Sequence, residues 1–175
     1  AAVCDKDGRV RVWSTSSWKL LGSLNTGGGH TSGMEFSPDS QRLIVGRFAS
    51  IEIFEAATLK PLRSVDTSMY GPYSLAVSRD GTLIATGEWN RTIGLWRVTD
   101  LARIAELAGH NGLPWWVRFN DSGTRLVSAG DDYKIKVWDL ASRRSLLTLE
   151  EPLDAPLRGA DFALDDQLIV AHTAV

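Results

Sequence analysis

Four short segments of this 175-residue chain share one pattern and end on an aromatic residue: Val10-Arg11-Val12-Trp13, Ile51-Glu52-Ile53-Phe54, Ile93-Gly94-Leu95-Trp96 and Ile135-Lys136-Val137-Trp138. Their aromatic positions lie 41, 42 and 42 residues apart. A fixed period of this length means that one supersecondary unit is stacked repeatedly, because a unit so small cannot bury its apolar faces alone. Such architectures commonly serve as binding platforms rather than catalysts. The repeat therefore points to a class of function and leaves the partner unnamed.

The third unit is the clearest. Trp115 to Phe119 alternates as a strand, Asn120-Asp121-Ser122-Gly123 turns, and Arg125 to Ala129 is a second strand. Gly130-Asp131-Asp132-Tyr133 turns again, Lys134 to Trp138 is a third strand, and Ser145 to Leu149 a fourth. Short β-rich runs divided by Gly, Asp, Asn and Ser are hairpin signals, and no helical period lies between them. The second unit repeats this order, while the second hairpin of the first unit is about two residues shorter. Side chains alternate along a strand, so Ile135 and Val137 face one way and Lys136 and Trp138 the other. Both faces carry bulk, so each small sheet needs a neighbour on each side. Stacking such units around an axis is the logic of a β-propeller.

Gly109-His110 and Trp138-Asp139 bracket Val117-Arg118-Phe119-Asn120-Asp121-Ser122-Gly123 and Leu126-Val127-Ser128-Ala129-Gly130-Asp131-Asp132; Phe36-Ser37-Pro38-Asp39 is a further copy. In these residues, held in shared register, the sequence resembles the WD-repeat β-propellers over nearly its whole length. The resemblance implies an all-β fold of four-stranded antiparallel blades, about three whole blades with half-blades at both termini. Residues 1–24 read as a partial blade, 25–65, 66–107 and 108–149 as repeats, and 150–175 as a partial repeat, all within one propeller segment spanning 1–175. We expect a piece of a larger ring whose remainder lies in the same parent chain; closure of the two terminal halves into a four-bladed ring is the alternative. Departures from the pattern are informative. Gly29-His30 lies out of register, Ser68 stands where the second unit should have histidine, Asn90 replaces its turn Asp, and Phe54 replaces Trp.

His110, Ser128, Asp132 and Trp138 invite a hydrolase reading, since serine, histidine and an acid are the parts of a triad. The structural reading is preferred. The Trp138 indole N–H needs an acceptor when buried, Ser128 supplies one and donates to His110, and the other ring nitrogen of His110 donates to Asp132. Ser128 sits mid-strand without a Gly-x-Ser-x-Gly elbow. The same network positions are Thr86, Asn90 and Trp96 in the second unit, and Asp7 and Trp13 near the start of the chain.

By the resemblance, the loops leading into the first strand of each blade and the turns between the second and third strands open on one face, the common docking surface. Leu113 and Trp115, Gly71 and Tyr73, and His30 and Ser32 hold the first set of positions; Lys6, Trp89 and Asp131 hold the second. Tyr73, Trp89 and Trp115 stand out, because Tyr and Trp join large contact area to a polar handle. For Trp89 and Trp115, binding and packing remain equal alternatives, and Trp116 is an alternative blade-packing residue.

The net charge of −2 argues against binding of nucleic acid or anionic membrane by charge. Cys4 is the single cysteine, which excludes an internal disulfide and a cysteine-built zinc site and suits a cytoplasmic setting. His30, His110 and His172 lie on different units without ligand spacing, and Gly27-Gly28-Gly29 lacks the Lys-Ser/Thr of a phosphate loop. No cofactor is expected. The function expected is a non-catalytic scaffold presenting loops to a protein or peptide, with a regulatory module of a larger signalling protein or enzyme as the alternative.

Overall fold

The computed structural model describes residues 2–4, 9–25, 31–67, 71–150 and 155–173, and every regular element among them is a β-strand. Strands β1 (Ala2–Cys4), β2 (Arg9–Trp13) and β3 (Leu20–Asn25) form a three-stranded sheet. The first four-stranded sheet contains β4 (Thr31–Phe36), β5 (Arg42–Arg47), β6 (Ser50–Glu55) and β7 (Pro61–Asp66). The second contains β8 (Pro72–Val77), β9 (Leu83–Glu88), β10 (Thr92–Arg97) and β11 (Arg103–Ala108). The third contains β12 (Pro114–Phe119), β13 (Arg125–Gly130), β14 (Lys134–Asp139) and β15 (Arg144–Glu150). A last pair joins β16 (Leu157–Ala163) and β17 (Leu168–Thr173). Within each sheet, strands that follow one another in sequence pair antiparallel, as hairpin turns dictate. This is the all-β arrangement of propeller blades. Among the described strands, no ladder joins the β1–β3 sheet to the β16–β17 pair.

Four apolar cores lie between successive sheets, and strand alternation explains them. In β5, Leu43 and Val45 pack with Val10 and Val12 of the preceding sheet, while Ile44 packs the other way with Leu75, Ile84 and Trp96. Ala85, Ile93 and Leu95 meet Val117, Leu126 and Trp138 in the next core, and Val127 and Ala129 meet Leu157 and Ala160 in the last. Each fully buried Val, Ile or Leu contributes about 1.5–3 kcal/mol, so the blades hold one another through these interfaces. The first strands, β4, β8, β12 and β16, neighbour one another along the inner rim. Glu35 ties three of them: it accepts the Val77 N–H at 2.7 Å and pairs with Arg118 at 3.3 Å.

The period is also written in the backbone. Trp18, Leu59, Leu101 and Arg143, again 41 or 42 residues apart, are left-handed residues in the turn before the last strand of each sheet. The amides of Trp18, Leu59 and Leu101 each close that turn on the carbonyl four residues back. A left-handed conformation costs a non-glycine residue about 1–2 kcal/mol. At Leu59 and Leu101 that cost is offset by burial of the side chain between blades.

Register irregularities recur at two places in the unit. One lies at the aromatic end of the third strand, at Val12/Trp13, Ile53/Phe54, Leu95/Trp96 and Val137/Trp138. The other lies at the start of the first strand and leaves Ser32, Tyr73, Trp115 and Arg158 without a partner in the ladder. Such bulges turn a side chain out of the alternation of its strand. The second set defines the site.

Candidate functional site

The polar residues of the third blade form one connected chain. Trp138 Nε1 donates to Ser128 Oγ at 2.8 Å, and Ser128 Oγ lies 2.7 Å from His110 Nε2. His110 Nδ1 lies 2.8 Å from Asp132 Oδ2. A carboxylate can only accept, so Nδ1 carries a proton; in the neutral imidazole Nε2 is then the acceptor and Ser128 donates to it. Asp132 also accepts the Asn111 N–H at 2.9 Å and the Lys134 N–H at 3.3 Å. Burial pushes its pKa up, but the hydrogen bond and charge interaction with His110 and these two amides outweigh burial and hold it below its ordinary value. Ser128 is 0% exposed and both of its hydrogen-bonding directions are used. It has no face to offer a substrate.

The second blade solves the same problem with different residues. Trp96 Nε1 donates to Thr86 Oγ1 at 2.9 Å, and Thr86 donates in turn to Glu88 Oε1 at 3.1 Å. Glu88 is 2% exposed and pairs with Arg103 at 2.7 Å, whose guanidinium lies 5.4 Å over the Trp96 ring. Glu88 thus partners the hydroxyl of the second blade as His110 does that of the third. Gly94 makes this possible: a Cβ there would lie 2.2 Å from Glu88 Oε1. In the third blade the equivalent positions are Gly130 and Lys136, and the Lys136 ammonium covers the Trp138 ring at 5.9 Å. Glu88 is absent from the sequence expectation, although its repeat position, two residues past Thr86, carries the signal. Asn90 is placed differently from that expectation. It accepts from the backbone and hydroxyl of Thr92, at 3.2 and 2.7 Å, and meets the network only through Thr92, which also reaches Glu88. A short amide in the turn caps the turn; the longer carboxylate is what reaches Thr86.

On the face where the first strands begin, aromatic rings from successive blades meet in T-shaped and tilted contacts. Tyr73 lies 4.4 Å from Trp89 and 4.4 Å from Trp115 between ring centroids, and Phe48 lies 6.2 Å from Trp89. The Arg158 guanidinium stacks 4.5 Å over Trp115. Tyr73, Trp115 and Arg158 are bulge residues of their first strands, while Phe48 and Trp89 occupy equivalent turns between second and third strands. Together with Thr31, Ser32 and Pro72, the four rings line a cup of about 390 Å³, within the range of small-ligand sites. Trp89 and Phe48 remain 42% and 50% exposed, so packing does not consume them. Burial and the nearby Asp131 raise the pKa of the Tyr73 phenol.

Tyr73, Trp89 and Trp115, expected at this face, meet in one cup. Asp131 supports it from the side by accepting the Trp115 indole N–H. Leu113 does not line the cup; its carbonyl accepts the Asp131 N–H at 3.0 Å and so fixes the turn. Phe48 escaped the sequence reading because the short hairpin of the first unit breaks the alignment there. Arg158 escaped it because nothing in the sequence marks a bulge. Trp116 belongs to the core between the third and last sheets, and Trp13 sits half-buried at the end of β2. His172 is exposed on β17. Lys6, Asp7, His30 and Gly27-Gly28-Gly29 lie outside the described residues. Among the described residues no group of three or more His, Cys, Asp or Glu is arranged to hold a metal ion.

Comparison with known proteins agrees with this architecture. Residues 60–97 and 101–139 match the WD40 pattern, described as WD domain, G-beta repeat. Telomerase protein component 1 of Mus musculus is 30% identical over 79% of this chain and 5% of its own length. Transducin-like enhancer protein 2 of Mus musculus is 32% identical over 62% of this chain and 15% of its own length. WD repeat-containing protein SL1-17 of Schistosoma mansoni is 29% identical over 84% and 49%. The chain therefore spans half or less of the length of these relatives.

Proposed function

We propose that this chain, which belongs to the WD-repeat β-propeller family, is a non-catalytic scaffold whose aromatic cup receives a protein or peptide partner. Proteins of this family are in general interaction scaffolds, and fold alone does not choose the partner. The observation that carries the reading is the array of Phe48, Tyr73, Trp89 and Trp115. Four rings from three blades converge on one face, two of them well exposed, on a backbone held by bulges and hydrogen bonds. Rigid, amphipathic aromatic surface of this kind concentrates binding energy at low entropic cost. The hydrolase alternative lacks an accessible nucleophile, because Ser128 is sealed between Trp138 and His110.

A protein partner suits the chain better than nucleic acid or membrane, given its net charge of −2. The single cysteine motivates a cytoplasmic setting. The exposed Leu168 and Val170 of β17 support further blades, supplied by the parent chain, against that sheet. Selection from a displayed peptide library on the immobilised chain tests the reading. Enriched peptides should lose binding on Trp89→Ala and Trp115→Ala but keep it on Arg79→Ala, in an exposed turn between β8 and β9. Ligands indifferent to both tryptophans would refute the cup as the docking surface.

A further inference from the structure

Four asparagines occur in the chain, and the fold treats one of them differently. Asn120 is 2% exposed, and Ser122, Thr124, Asp166 and the Arg125 N–H engage its carboxamide. Asn90 accepts from Thr92 and is followed by Arg91, and Asn25 precedes Thr26. Asn111 is exposed, its carboxamide makes no hydrogen bond among the described residues, and it alone of the four precedes a glycine. The Gly112 N–H is likewise unbonded among them.

An asparagine carboxamide and the next backbone nitrogen are the reactants of deamidation. The Gly112 nitrogen, deprotonated by hydroxide, attacks Asn111 Cγ; the N–Cγ bond forms, the Cγ–N bond of the carboxamide breaks, and ammonia leaves. The cyclic imide then adds water at either carbonyl and opens to aspartate or to isoaspartate. A Cβ on the attacking residue hinders the ring closure, and glycine has none. Packing explains why glycine stands here: a Cβ would lie 2.6 Å from the Asp132 nitrogen and 2.9 Å from the Asp131 carbonyl carbon. The close approach of loop to turn thus demands the one residue that leaves Asn111 open to attack. We infer that Asn111-Gly112 is a site of spontaneous deamidation, and that the reaction loosens the polar network of the third blade.

The Asn111 N–H donates to Asp132 Oδ2 at 2.9 Å, the oxygen that His110 Nδ1 reaches at 2.8 Å. Either product adds a carboxylate to the loop that holds the Asp132 carboxylate, and the like charges repel. Isoaspartate also lengthens the main chain by one atom between two anchors. These are His110 on Asp132 and the Leu113 carbonyl on the Asp131 N–H, at 3.0 Å. One anchor must give. Asp131 in turn accepts the Trp115 indole N–H, so the disturbance reaches a wall of the cup. The inference holds whatever the cup binds.

Mass spectrometry of tryptic digests follows the reaction, because residues 80–91, 104–118 and 119–125 carry Asn90, Asn111 and Asn120 on separate peptides. When the folded 175-residue chain is aged in mildly alkaline buffer, 104–118 should show the mass change of amide to acid and become a substrate for isoaspartyl methyltransferase. The other two peptides should stay unchanged. Asn111→Gln, whose ring closure needs one more member, should suppress the conversion. In urea melts the aged wild-type chain should have a lower midpoint than the fresh one. Asn111→Asp should reproduce part of that loss, since it adds the charge without lengthening the main chain, and aged Asn111→Gln should keep the midpoint of its fresh form. Intact Asn111 in the folded chain, under conditions that convert a synthetic peptide of residues 104–118, would overturn the site. Conversion with an unchanged midpoint, or an aged Asn111→Gln that falls as far as wild type, would overturn the link to the network.

Discussion

Replacing Asp132 with alanine probes the polar chain of the third blade at its most exposed link. The variant removes the acceptor of the His110 Nδ1–H, and the His110 side chain is 0% exposed, so water cannot replace the lost partner in place. A buried donor left unpaired costs about 1–3 kcal/mol. The Asn111 amide, also released, is exposed and finds water, so it adds little. With a urea dependence of about 2 kcal/mol per molar, the midpoint should fall by about 0.5–1.5 M. Asp132→Asn keeps one acceptor and loses the charge, and should cost less than alanine. Because the folded chain holds the Asp132 carboxylate below its ordinary value of 3.8, its stabilisation is present above that pH and is lost as pH falls through the folded value. The gap between wild type and Asp132→Asn should therefore begin to narrow as pH falls below about 4. Urea melts followed by tryptophan fluorescence at pH 7 and at pH 3 measure both effects. An unchanged midpoint for Asp132→Ala, or the same loss in a His110→Ala background, would refute the coupling.

Glu88 should show the opposite sign: burial raises its pKa above 4.5, so the folded state binds its proton more tightly than the unfolded chain and stability falls as pH rises through that window. Melts of Glu88→Gln between pH 4.5 and 7 should show a flatter slope, and an identical slope would refute the burial argument. Gly94→Ala places a methyl 2.2 Å from Glu88 Oε1 and 2.8 Å from Thr86 Oγ1, and should cost about 1–3 kcal/mol by overpacking. The penalty should shrink in a Glu88→Ala background, which a double-mutant cycle reads directly. A fluorophosphonate probe should leave Ser128 unmodified in the folded chain, and mass-spectrometric detection of a Ser128 adduct would reopen the hydrolase reading.

Much of the fold is legible in the amino-acid sequence, because the signals that carry it are local and repeated. The turn residues at Asn120 to Gly123, the alternation in Ile135 to Trp138 and the recurrent aromatic at the end of the third strand each dictate backbone shape within a few residues. Hydrogen-bonding chemistry extends the reading to His110, Ser128, Asp132 and Trp138, since a buried indole and a buried imidazole must find partners of definite kind. It fails where one blade substitutes another solution. The missing histidine of the second unit draws attention to Asn90, yet the replacement is Glu88, admitted by the space at Gly94 and balanced by Arg103 from the next strand. That trade involves three strands and no single local pattern announces it.

The site follows the same division. Sequence alone placed Tyr73 and Trp115 equivalently at the start of the first strand and Trp89 in a turn, because the 42-residue register assigns every residue a place within its blade. The resemblance put these places on one face. Only the tertiary structure decided that these rings touch, that Phe48 joins them, and that Arg158 lies on Trp115. The physical reason is the bulge at the start of each first strand. A one-residue slip in the ladder turns Ser32, Tyr73, Trp115 and Arg158 out of alternation, and the curvature of stacked blades brings four positions spread over more than a hundred residues to one rim. A period records where a residue sits in its unit; which residues of different units meet depends on how those units pack.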